Sequence, residues 1–180
     1  MVLMPVQLMA QDSPPLGHNY LAGSMGPGWF SDSSYLSSGA AFGLGLEYYR
    51  AVTDQLYLGA EVSSLTNVDI FGDDITVSPL ELNLKYAVEV GGPGNQGFVV
   101  AAGAGLAYAH VDVADYEFFD AAEYNDGWVF GGQIYGEGYY NFGKFMVGMK
   151  LKFQPLQKLV AEFEGAPTNV SLKLQLGLNF

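Results

Sequence analysis

The chain ends on Val170-Ser171-Leu172-Lys173-Leu174-Gln175-Leu176-Gly177-Leu178-Asn179-Phe180, in which every second side chain is apolar. A period of two belongs to a strand, whose successive side chains point to opposite faces. One face carries Val170, Leu172, Leu174, Leu176, Leu178 and Phe180, and the other Ser171, Lys173, Gln175, Gly177 and Asn179. The preceding segment repeats the code, setting Phe145, Val147, Met149, Leu151 and Phe153 against Met146, Gly148, Lys150 and Lys152.

Working toward the N-terminus, the same alternation recurs five times. Phe130, Ile134 and Tyr140 oppose Gln133, Tyr135, Glu137 and Tyr139, and Phe98, Val100, Leu106 and Tyr108 oppose a face of Ala and Gly. Leu80, Leu82, Leu84, Tyr86 and Val88 oppose Glu81, Asn83, Lys85 and Glu89. Leu56, Leu58, Ala60 and Val62 oppose Tyr57, Gly59, Glu61 and Ser63, and Phe42, Leu44, Leu46 and Tyr48 oppose Gly43, Gly45, Glu47 and Tyr49. An eighth strand is expected over 18–26, where small residues blur the pattern. Short connections at 51–54, 91–96 and 141–144 alternate with long ones at 27–35, 67–74, 112–126 and 155–168. The long ones therefore collect at one end of an up-and-down barrel, with both termini at the other. This is the layout of transmembrane barrels of the bacterial outer membrane.

Composition narrows the alternatives. The 180 residues suit one domain, and 24 glycines with 14% aromatic residues favour strands and tight turns. A formal charge of −12, with seven Lys and Arg and no basic run, excludes a nucleic-acid binder. The absence of cysteine removes disulfides and thiolate metal sites. No stretch approaches the roughly 20 apolar residues of a spanning helix. Met1 to Ala10 is apolar and precedes Gln11-Asp12, so residues 1–17 read as a signal remnant cleaved after Ala10 or as a retained N-terminal arm, and 18–180 as the barrel.

A soluble lipocalin-like barrel alternates too, with its apolar face inward. Here the other face is crowded with Gly and Ala, as a narrow eight-stranded interior needs, and carries few charges for a surface in water. Aromatic residues gather at both strand ends, with Tyr48, Tyr86, Tyr140, Phe142, Phe145 and Phe180 on the short-turn side and Tyr108, Trp128, Phe130 and Phe153 on the other. They read as interfacial girdles in lipid. The expected lumen then holds Glu47, Glu61, Glu81, Glu89 and Glu137 with Lys85, Lys150, Lys152 and Lys173. Charges buried there must pair. The expectation is a salt-bridged plug, with a narrow ion-conducting path as the alternative.

The terminal strand, ending Leu176-Gly177-Leu178-Asn179-Phe180, resembles that of the small outer-membrane barrels of the OmpA and OmpX type, a likeness covering about 18–180. Leu176, Leu178 and Phe180 look like the signal read by the barrel-assembly machinery, although Leu178 stands where that signal often has an aromatic residue. The resemblance implies outer-membrane insertion and a structural, adhesive or protective role.

Three further features bear on function. Asp112, Asp115, Glu117, Asp120, Glu123 and Asp126 form an acidic, aromatic-rich segment, a candidate cation-binding or adhesive loop without the spacing or turn glycine of an EF-hand. His18 and His110 are the only histidines, and His110 near Asp112 lacks a matching nucleophile, so neither an enzyme nor a cofactor is expected. A retained Met1–Ala10 arm would offer an added strand to a neighbouring copy, giving homo-oligomers or an extracellular filament as the alternative function.

Overall fold

A computed structural model of the chain describes residues 14–31, 40–67, 74–90, 96–114, 124–156 and 168–180. Eight strands follow one another: β1 Asn19–Ser31, β2 Ala40–Ala51, β3 Leu56–Asn67, β4 Asp74–Glu89, β5 Gln96–Ala114, β6 Tyr124–Phe142, β7 Phe145–Pro155 and β8 Thr168–Asn179. Each is antiparallel to the next, and β8 returns to β1, which closes the barrel. Asn19 and Phe180 exchange both backbone hydrogen bonds, at 2.8 and 2.9 Å, so the seam ends on the rim that carries the short turns. Gly143, at φ 84°, makes the turn from β6 to β7 in a conformation that a side chain would strain.

Across the middle of the wall the alternation falls as the sequence predicts, with leucines outward and charged or small residues inward. Toward the long connections it inverts. Leu65, Ile75, Val77, Val111 and Val129 now point inward and are buried, while Ser64, Thr66, Thr76 and Ser78 point outward. Thr76 donates to Thr66 at 3.2 Å and Ser78 to Ser64 at 3.4 Å along this outer face. A wall with polar residues outside and apolar residues inside suits water, whereas the wall below it suits lipid. The aromatic residues Trp29, Phe42, Tyr108, Trp128 and Phe130 stand outward near the changeover. Tyr108 stacks on Trp128 at a 17° interplanar angle.

The first residues of β4 follow the inverted code, and the strand starts at Asp74, where the expected 67–74 connection ends. One expected boundary is corrected. β1 runs through Pro27 to Ser31, where the composition reads as loop, because β2 and β8 both supply ladder partners. A Cβ at Gly26 would lie 2.1 Å from the Leu172 carbonyl oxygen, so the small residues that weaken the sequence signal permit close approach of the two strands.

Glycines also shape the interior. Tyr49 pairs with Gly59, Tyr135 with Gly103 and Tyr139 with Gly148, each across adjacent strands. Each ring lies over its glycine, so that an added Cβ would meet ring atoms at 2.3, 2.3 and 2.4 Å respectively. Gly59→Ala is therefore expected to destabilise by about 1–3 kcal/mol through overpacking. The denaturant midpoint measures it, and an unchanged midpoint would mean that the Tyr49 ring has room to move aside.

Candidate functional site

Register places the charged side chains before any of them meet. Glu47, Glu61 and Glu81 are direct partners across β2, β3 and β4, giving an acidic row on one wall. Lys150 and Lys173 are partners across β7 and β8, with Lys152 on the same face of β7, giving a basic row on another. Like charges side by side disfavour a sheet. Barrel closure removes the conflict by turning the acidic wall toward the basic one across a lumen only a few side chains wide.

The resulting network is continuous and buried. Lys150 contacts Glu47, Glu61 at 2.9 Å and Glu137 at 3.0 Å. Glu61 in turn takes Lys152 at 3.1 Å and Lys173 at 3.5 Å, and Lys152 reaches Glu81 at 2.7 Å. Lys85 closes the other end on Glu137 at 2.5 Å and Glu47 at 3.6 Å. Its ammonium also donates to the hydroxyls of Tyr20 and Tyr139 and stands 4.0 Å from the Tyr49 ring centroid. Amides complete the set: Gln133 and Gln154 donate to Glu81 at 2.7 and 2.8 Å, and Gln175 to Glu47 at 2.8 Å. Four carboxylates face four ammonium groups, so this belt is formally neutral.

Eight of the nine charged residues expected in the lumen thus meet in one network. The ninth, Glu89, is the last residue of β4, half-buried and two inward positions nearer the short-turn rim than Lys85.

Apolar layers lie on both sides of the belt, so the lumen expected to be polar is polar in its middle only. Below it Tyr20, Tyr49, Tyr57, Val99, Tyr139 and Met146 pack together, with Tyr20 stacked on Tyr49 at 5.1 Å. Above it Phe30, Leu65, Ile75, Val111, Val129 and Leu156 form a second cluster. The sequence signal was present in the inward phase of the tyrosines, but phase alone does not tell a ring that lines a channel from one that fills it.

No protein-family model matches the sequence, and no curated protein matches it significantly. Solved structures do match. Neisserial surface protein A aligns with a TM-score of 0.72 at 12% identity, over 91% of this chain and 98% of that one. Ail, the attachment invasion locus protein of Yersinia pestis, gives 0.61 at 8% identity over 91% and 99%. The N-terminal β-barrel domain of Pseudomonas aeruginosa OprF gives 0.55 at 15% identity over 90% and 98%. The chain has the fold of the small eight-stranded outer-membrane barrels.

Within this outer-membrane barrel fold the remaining sequence candidates separate. Asp112 is exposed on the outer face of β5 and is the register partner of Asp126 on β6. The side chain of Asp126 and residues Asp115, Glu117, Asp120 and Glu123 lie outside the described residues. Among the described residues, no three His, Cys, Asp or Glu side chains gather to hold a metal ion. His110 faces outward beside Trp128, ring centroids 5.0 Å apart, and so belongs to the aromatic collar, while His18 is exposed at the opposite end. Leu176, Leu178 and Phe180 all stand exposed on the outer wall. The arm Met1 to Ala10 lies outside the described residues.

Proposed function

We propose that the chain is a structural barrel of the bacterial outer membrane, closed to conduction through its lumen, which presents an acidic surface to the exterior. The observation that carries this reading is the outer wall: an apolar band, aromatic residues at its margins, and a change to polar residues beyond the upper margin. The lumen supports the second part, because an ion-paired belt and two clusters of buried apolar side chains on either side of it occupy the described interior.

Charge is distributed unevenly between the two ends. The strand ends and connections on the long side carry twelve carboxylates against Lys158 alone, a formal −11. At the short-turn end Asp54 and Glu89 are matched by Arg50 and Lys144. An exterior of this sign attracts cations and repels polyanions. The structure of Ail with the heparin analogue sucrose octasulfate concerns a ligand that this charge disfavours. Leu176, Leu178 and Phe180, outward on the last strand, would meet the assembly machinery before they meet lipid.

Refolding into lipid vesicles tests the reading. Heat-modifiable gel mobility and loss of long-loop fragments to external protease are expected, with no single-channel conductance in planar bilayers. A monodisperse protein in detergent-free buffer would overturn the membrane assignment, and stable unitary currents would overturn the closed lumen.

A further inference from the structure

The short-turn mouth of the barrel is filled by a piece of chain that belongs to no strand. Pro14, Pro15 and Leu16 are buried there, and Leu16 is fully enclosed in the lower tyrosine layer. Gly17, at φ 74°, turns the chain back, its amide donating to the Pro14 carbonyl at 2.9 Å. Two hydrogen bonds tie the turn to the wall. The Leu16 amide donates to the Tyr57 hydroxyl at 2.9 Å, and Asn141 donates its side-chain amide to the Pro15 carbonyl at 2.6 Å. On its other side the turn borders a hollow of about 320 Å³ shared with His18, Asn141 and Lys144.

We propose that the Pro14–Gly17 turn is a removable plug that seals the short-turn mouth and keeps water from the tyrosine layer beneath the ionic belt. The two prolines pre-set the backbone, so little conformational entropy is lost on docking. Leu16 supplies the apolar contact, and the bonds to Tyr57 and Asn141 satisfy backbone groups that burial would otherwise orphan. Because the turn is held by three buried side chains and two hydrogen bonds to side chains of the wall, and by no ladder pairing, it can leave without breaking the strand ladder.

The chain has no cysteine, so single thiols report access cleanly. Ala87→Cys places one in the lower layer and Ala109→Cys one in the upper layer, both at positions of zero exposure. Labelling in nanodiscs with a charged maleimide is compared with and without Leu16→Ser. The thiol at 87 is expected to react about tenfold faster or more when Leu16 is replaced, the factor that ~1.4 kcal/mol of lost apolar anchoring carries, while the thiol at 109 stays protected. Equal rates at 87 in both backgrounds would overturn the plug. A parallel rise at both positions would also overturn it, by showing that the barrel opens as one unit. If Leu16→Ser prevents closure of the barrel, Tyr57→Phe, which removes only the acceptor of the Leu16 amide, is read the same way.

Discussion

Lys150→Met is expected to destabilise the barrel by about 3–5 kcal/mol, the usual consequence of removing one partner of a buried ion pair. Among the described residues, Lys150 is the only ammonium group in contact with Glu47, Glu61 and Glu137 together. Without it, four buried carboxylates face three lysines, and Glu47 keeps only the 3.6 Å contact to Lys85 as an ion pair. Urea unfolding from lipid vesicles, followed by the fluorescence of Trp29 and Trp128, measures the loss. Adding Glu47→Gln to Lys150→Met restores formal neutrality while Lys85 keeps Glu137, and is expected to recover part of the deficit, a coupling that a double-mutant cycle isolates. A loss below about 1 kcal/mol would place the belt in bulk-like water, since exposed pairs contribute no more than that.

The second large effect lies on the opposite face of the wall. Leu82→Arg introduces a charge on the outward side of β4 within the apolar band and is expected to destabilise by about 2–4 kcal/mol, the penalty of a cation near the bilayer midplane. Thr76→Arg, on the same strand and face but beyond the changeover, is expected to fall within about 0–1 kcal/mol. Equal, small effects at both positions would identify a barrel surrounded by water along its whole height. The pair therefore reads the depth of the membrane directly from one strand.

Both experiments follow from an arrangement only partly visible along the chain. Alternation assigned Glu47, Lys150 and their neighbours to the inward face, because a strand has a fixed period and one of its faces was plainly apolar. It could not pair them. Which lysine meets which glutamate depends on the registers of the hairpins and on closure between β1 and β8, with Lys150 and Glu47 lying 103 positions apart and Lys173 and Glu61 112. The same limit hid the last residues of β1 and the inverted facing of the first residues of β4. There the chain leaves the apolar band and its solvent changes, so the rule linking apolar to outward reverses within a single strand.

By itself the sequence determined the eight-stranded, all-β architecture, the two faces of the wall and the end at which the long acidic connections gather, since each follows from local periodicity and the spacing of turns. Only the tertiary structure decided that the terminal Val170–Phe180 segment carries Lys173 to a glutamate of β3, that tyrosines lie on glycines of neighbouring strands, and that a Pro-Pro-Leu-Gly turn fills the mouth. Those outcomes are contacts between segments distant in the chain, and their free energy exists only once the barrel has closed and excluded water.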